Sequence, residues 1–114
     1  MTFYAAVHHA LMCRDPAAKI AHVRALHTAW RARMPDLRAD PVPVAIPIPG
    51  RPDRPLLVPP RELSQRGLGT AEGRAALVHA VAHIEFNAIN LALDAVYRFR
   101  DLPDAYRDDW LQVA

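Results

Sequence analysis

The first candidate for chemistry is a carboxylate in an apolar setting. Glu85 belongs to a run of residues, 75–99, that contains neither glycine nor proline. At 100° per residue, its neighbours three and four positions away are all apolar: Val81, Ala82, Ala88 and Ile89. A buried, ionised carboxylate needs a cation, a donor or a proton. Three interpretations stay open: an ion pair or hydrogen bond with an arginine of another segment, a metal ligand in a bundle core, or a neutral carboxyl acting as general acid.

Two histidines close to Glu85 have a spacing that metal sites use. His79 and His83 are one helical turn apart, a possible two-ligand spacing, although such pairs also arise on polar faces without function. They belong to a polar stripe whose other members are Asn87, Asn90, Asp94 and Arg98. The sequence has no His-Glu-x-x-His, Cys-x-x-Cys, P-loop or Gly-x-Gly-x-x-Gly motif. No motif therefore completes a metal or nucleotide site.

The elements that position these residues are predicted to be helical. Residues 1–34 favour a helical hairpin, with one helix over 2–12 and a second that begins at Asp15 and Pro16. Pro35 would end this second helix. Its apolar residues recur at spacings of three and four: Ile20, Val23, Leu26, Trp30 and Met34.

Residues 35–69 predict neither helix nor central strand. Nine prolines lie from Pro35 to Pro60, and each removes a backbone donor and fixes φ. The interleaved apolar residues favour an extended, polyproline-like strap over the helices. A proline-rich ligand for the aromatic groove of a partner is the alternative. A packed strap should bury Ile46, Ile48, Leu56 and Leu57.

A long helix dominates residues 70–114. Thr70 is a plausible N-cap, with Glu72 in the first turn, and the pattern continues to about residue 100. At ~1.5 Å per residue this helix would be about 45 Å long. A turn at Pro103 precedes a last helix that reaches Ala114 without a capping signal. This pattern predicts a truncated or interrupted chain.

Composition limits the partners and the location. The formal net charge is +2, and the 14 basic residues form no block of five, which argues against nucleic-acid binding. A single cysteine, Cys13, allows no intrachain disulfide and fits a reducing compartment. The sequence shows no signal peptide, and no stretch of eighteen residues is free of polar groups. We therefore expect a cytoplasmic protein without a membrane span.

Three stretches carry a family resemblance: GRPDRP at 50–55, GRAALVHAVAHIE at 73–85 and DDWLQVA at 108–114. Over about 41–114, and more loosely over the N-terminal helices, the sequence resembles the bacterial family called domain of unknown function 455. The resemblance implies a ferritin-like fold. The expected fold is therefore all-α. It is one truncated ferritin-like domain over 1–114, comprising a helical hairpin (1–34), a proline-rich strap (35–69), and a core helix with the start of its partner helix (70–114).

The resemblance also implies a metal site. Ferritin-like carboxylate proteins take one Glu from each of two helices and a Glu-x-x-His from each of two others. On this pattern Glu85 is the ligand of the first helix. His83 would at most contact that ligand and would not itself bind the metal. The Glu-x-x-His expected after DDWLQVA is missing from the sequence. We therefore expect no metal in this chain alone, and iron or manganese in a complete form.

Two functional hypotheses follow. The first is a fragment of a ferritin-like, metal-dependent protein of the di-iron carboxylate type, with no reaction or substrate indicated. The second is a non-catalytic helical interaction module, completed by a partner or a second copy. Because the long helix is apolar over most of its circumference, we expect a homo-oligomer or a partner subunit. Its interface should bury Val78, Ile89, Val96 and Phe99.

Overall fold

Four helices make up the described part of the chain. The structure is a computed structural model that describes residues 2–32, 43–53 and 69–114. Helix α1 is Phe3–Met12, α2 is Pro16–Arg31, α3 is Ala71–Arg98 and α4 is Asp104–Val113. No strand occurs in these three ranges, and the predicted all-α class is confirmed.

The helices begin at the residues that their capping chemistry indicates. Asp15 accepts a hydrogen bond from the Ala18 amide at 2.8 Å, and a proline opens α2 directly after it. Thr70 accepts one from the Gly73 amide at 2.9 Å at the start of α3. Each cap satisfies an amide that the first helical turn leaves without an acceptor. Both predicted starts are confirmed. The predicted end of α2 at Pro35 lies outside the described residues.

The hydrophobic core lies where the other helices meet the C-terminal half of α3. Helix α3 packs on α1 and α4, and α2 packs on the same two helices. The core draws on all four helices: Phe3, Tyr4, Val7, Ala10, Leu11, Val23, Leu26, Leu93, Val96, Tyr97 and Leu111. Val96 is fully buried within the chain. Its predicted place in an interface with a partner is therefore wrong, because α1 and α4 already cover this part of α3.

A buried arginine fixes α4 beside the end of α3. The Arg107 guanidinium donates to the Arg100 carbonyl at 3.2 Å and to the Asp104 carboxylate at 2.6 Å. It also lies 5.7 Å from the centre of the Trp30 ring in α2. The carboxylate and the ring face both compensate the buried positive charge. The turn between α3 and α4 is thus tied to a third helix.

The described part of the strap, residues 43–53, is buried unevenly. Ile46 is partly buried against the core, and Pro49 is half-buried as well. Ile48 is exposed, so its predicted burial is wrong. The backbone bends at residues 47 and 48, so Ile48 is exposed at the bend while Ile46 and Gly50 on either side are partly or fully buried. Leu56 and Leu57 lie outside the described residues.

Among the described helices, α3 alone has the length and the apolar composition that a membrane span requires. It has 28 residues and a mean hydropathy of 1.3 over an 18-residue window. Core helices of soluble proteins meet the same criteria. His83, Glu85 and Asn87 stand in the middle of α3, and such polar groups are costly in hydrocarbon. The absence of a membrane span stays a prediction.

Candidate functional site

Glu85 lies in the half of α3 that no described element covers. Its side chain is exposed, so the expectation of a buried carboxylate is wrong for this part of the chain. Of its apolar neighbours, Val81 and Ala82 are exposed and Ala88 and Ile89 are half-buried. Further apolar residues of this half are exposed, Val78 by 69% and Ile84 by 65%. The physical reason is that α1, α2 and α4 pack only on the C-terminal half of α3. Within 69–89, Gly73 is the one buried residue.

The direction in which Glu85 points is nevertheless informative. On a helix with 100° per residue, Glu85 lies within about 20° of Ala92 and Val96. Both of these residues are fully buried in the core. Glu85 therefore stands on the N-terminal continuation of the face that α3 already buries. A further helix that extended this packing would meet the carboxylate.

The histidines do not join Glu85. The rings of His79 and His83 are 5.0 Å apart, edge to face, with His79 exposed and His83 half-buried. His83 and Glu85 are two positions apart, which is about 200° around the helix, so their side chains diverge. The described residues contain no group of three His, Cys, Asp or Glu side chains that could hold a metal ion. The prediction that Glu85 is a metal ligand stays a prediction, and so does the supporting role of His83.

A second polar site lies in the packed part, around the only lysine of the chain. Lys19 in α2 is fully buried, with an exposed fraction of 0%. Its ammonium donates to the Leu11 carbonyl at 2.9 Å, to the Gly50 carbonyl at 2.8 Å, and to the side-chain oxygen of Asn90. These acceptors belong to α1, the strap and α3. A lysine has three N–H donors, so the three bonds use its capacity in full.

The acceptors around Lys19 are also linked to one another. The Gly50 amide donates to the Leu11 carbonyl at 2.9 Å, and the Asn90 amide group donates to the Gly50 carbonyl at 3.2 Å. The Leu11 carbonyl lies in the last turn of α1, where helix carbonyls lack intrahelical donors and a nearby cation is favourable. We call Lys19, Leu11, Gly50 and Asn90 the lysine network.

The backbone approaches closely at Gly50. A Cβ atom there would lie 2.1 Å from the Met12 carbonyl oxygen, a separation that no side chain tolerates. Only glycine therefore lets the strap come near enough to α1 for its carbonyl to reach Lys19.

Burial sets the charge state of Lys19. Loss of solvation lowers the pKa of its amine to about 8, partly opposed by the Cys13 thiol, which raises it. The Phe86 ring lies 5.0 Å from the amine and adds a favourable contact to the charged form. At neutral pH the amine is thus still mostly protonated and donates three hydrogen bonds.

The lysine network was missed in the sequence, although a signal exists. Lys19 precedes Val23 and Leu26 by four and seven residues, a spacing that places it on the buried face of α2. Lysine is also rare here, one of 14 basic residues. In the sequence, Asn90 belongs to the polar stripe of α3. Nothing in that stripe indicated that Asn90 would contact the buried Lys19.

A cleft of about 230 Å³ separates the strap from the polar stripe of α3. On the strap side it is lined by Ile46 and Pro49. On the α3 side, Asp94 and Arg98 form an ion pair at 3.0 Å between Oδ1 and Nε. The remaining lining residues are Leu11, Asn87, Asn90 and Leu91. The stripe therefore faces the strap along the packed half of α3, while its histidines stand in the uncovered half.

Comparison with known proteins gives the family. An uncharacterized protein of Haemophilus influenzae is 38% identical over 122 aligned residues, which cover 98% of this chain. The chain spans 42% of the length of that relative. No solved structure matches the chain. Residues 12–114 match the family described as "Protein of unknown function (DUF455)". On the strength of that match and of the bacterial relative, the chain belongs to the DUF455 family.

Proposed function

We propose that this chain is part of a ferritin-like, metal-dependent protein, and that Glu85 is one of its metal ligands. One observation carries the proposal. Glu85 continues the buried face of α3 into a half whose apolar side chains have no described cover. The chain spans less than half of its relative, so additional helices of a longer protein can complete the interior there.

The residues present can contribute to a metal site, but they cannot form a complete site by themselves. A carboxylate oxygen is a suitable donor for iron or manganese, and bundle cores hold such ions between facing helices. One carboxylate cannot hold an ion, and the described residues supply no cluster of three ligands. In a complete site, Glu85 would be one carboxylate ligand, and the bound metal would supply redox or Lewis-acid chemistry. The substrate and the reaction are left open.

The test is metal analysis of a longer protein. The region of the Haemophilus influenzae relative outside the alignment is joined to this chain, and iron and manganese are measured after purification. Glu85→Gln keeps the size and removes the charge, so it should reduce the metal content at least tenfold. Glu72→Gln, the same change in the exposed first turn of α3, is the control and should keep it.

Two results would contradict the ligand assignment. One is full metal content in the Glu85→Gln variant, and the other is equal loss in both variants. The 114-residue chain alone should bind little or no iron or manganese, because its described residues offer a single suitable ligand on that face.

A second candidate function is a helical interaction module without catalysis. It is favoured by the exposed apolar side chains of α3: Leu77, Val78, Val81, Ile84 and Leu91. A patch of this kind usually marks an interface, with a second copy or a partner subunit as its occupant. Of the interface residues predicted from sequence, Val78 and Phe99 are exposed, while Ile89 is already partly buried against the core.

Assembly can be measured by sedimentation velocity on the 114-residue chain. A monomer at high concentration would argue against the interaction module and leave the first proposal standing. A stable dimer that Ile84→Asp dissociates would favour it.

With either function we propose a cytoplasmic location, since the lone cysteine is free. Nucleic acid and membrane are not proposed as partners.

A further inference from the structure

We propose that Lys19 is a latch. Its ammonium holds residues 43–53 onto α1 and α3, and loss of this one group releases that segment while the four helices stay folded. The latch controls access to the polar stripe of α3, because the same segment forms the opposite wall of the 230 Å³ cleft. This inference is independent of the metal proposal.

The buried hydrogen bonds that attach the segment to the helices meet at Gly50. At Gly50 the carbonyl accepts from Lys19 and from Asn90, and the amide donates to Leu11. The three bonds are buried, and a charged donor makes the first of them the strongest kind. Gly50 is itself buried. Removing the ammonium takes a charged donor from three oxygen atoms. The Leu11 and Gly50 carbonyls keep the Gly50 and Asn90 amides as donors, whereas the side-chain oxygen of Asn90 loses its bond to Lys19, and an unsatisfied buried acceptor is costly.

The other contacts of the segment are weaker. The ion pair between Arg14 and Asp53 is exposed, with side-chain exposures of 61% and 85%, and such pairs contribute little. Arg14 also donates to the Arg51 carbonyl at 3.0 Å, at the surface. The Tyr97 hydroxyl accepts one hydrogen bond, from the Val44 amide. These contacts place the segment but do not replace the buried network.

The helices, in contrast, do not need the segment. The buried hydrophobic core consists of residues from α1, α2, α3 and α4, and the segment adds only the partly buried Ile46. Release of the segment therefore leaves the main apolar contacts in place. It uncovers the buried Asn90 and opens the cleft that Asn87, Asp94 and Arg98 also line.

A lysine suits this role better than an arginine. Its compact ammonium carries three donors in a tetrahedral arrangement, whereas the guanidinium is planar and larger. The three acceptors come from three separate elements around one point. Lys19→Arg should therefore not restore the latch, even though it keeps the positive charge.

The test is amide hydrogen exchange in the 114-residue chain. Lys19→Met keeps the length of the side chain and removes the ammonium. We expect the Gly50 amide to exchange at least tenfold faster, with less than threefold change in α1, α2 and the C-terminal half of α3. Arg14→Ala, which removes the surface contacts of the same segment, is the control and should change Gly50 exchange less than threefold.

Three results would overturn the latch: unchanged exchange at Gly50 in Lys19→Met, an equal loss of protection in the helices, or a larger effect of Arg14→Ala. If Lys19→Met does not fold, Gly50→Ala tests the same separation, because its Cβ would collide with Met12. Gly50→Ala should speed hydrogen exchange of the Val44 amide at least tenfold and leave the amides of the helices protected. Gly69→Ala, with no atom within 4 Å of the added Cβ, should change nothing. Unfolded helices in Gly50→Ala would show that the segment is not separable.

Discussion

Helix α3 is packed on its C-terminal half and uncovered on its N-terminal half. Ala92, Leu93 and Val96 have no exposed surface, whereas Val78 and Ile84, about two to five turns earlier, are mostly exposed. Both halves have the same helical backbone and a similar apolar content. The difference teaches that the apolar pattern of α3 runs along its whole length, while the other described helices cover only part of it.

Leucine truncation gives the largest expected contrast. Leu93 is fully buried and Leu91, two residues earlier, is 63% exposed. Leu93→Ala should lower the free energy of unfolding by about 2–5 kcal/mol, since it leaves a cavity in the core. Leu91→Ala, the same chemical change, should cost less than about 0.5 kcal/mol. Urea denaturation followed by circular dichroism measures both, and equal losses would mean that the two sides of α3 are packed alike.

The pH dependence of stability probes the packed half alone. Burial lowers the pKa of Lys19 from 10.5 to about 8, so the folded chain loses this proton before the unfolded chain does. The contribution of Lys19 to the free energy of unfolding is therefore constant below about pH 8. It rises between pH 8 and 10.5 by up to about 1.4 kcal/mol per pH unit.

This rise is isolated by comparing two proteins from pH 7 to 10. Cys13 interacts electrostatically with the Lys19 charge, so both proteins carry Cys13→Ser. The first keeps Lys19 and the second has Lys19→Met. The difference in the free energy of unfolding should increase with pH in favour of the first. A decrease with pH would mean that the folded state holds this proton more tightly than the unfolded state.

The helix caps give the smallest contrast. Asp15 caps α2, which packs on two helices, so Asp15→Ala should lower the free energy of unfolding by about 1 kcal/mol. Thr70 caps the uncovered half of α3. Thr70→Ala should therefore speed amide exchange in the first turns of α3 and leave global stability within about 0.5 kcal/mol. A full cap penalty at Thr70 would show that the two halves unfold together.

Much of the fold follows from local sequence signals. The capping residues Asp15 and Thr70, together with apolar periodicity, predicted where α2 and α3 begin, because these effects act within one helical turn. The exposure of Ile48 was not predictable from its apolar character alone, since it depends on the backbone bend at residues 47 and 48. The family resemblance also gave the correct family for residues 12–114.

The candidate sites were harder to predict because they depend on distant parts of the chain. The lysine network joins residues up to 71 positions apart, Lys19 and Asn90, and neither reveals the other in its local pattern. For Glu85 the apolar neighbours were identified correctly. Its exposure depends on which helices lie beside α3, and a periodicity within α3 carries no information about them.

We propose that the uncovered half of α3 is the interior of a larger bundle. Amide hydrogen exchange tests it directly, in the 114-residue chain and in the longer protein extended with the Haemophilus influenzae region. The account predicts that amides over residues 75–86 exchange at least a hundredfold more slowly in the longer protein, with little change over 90–97. Equally fast exchange over 75–86 in both proteins would contradict it.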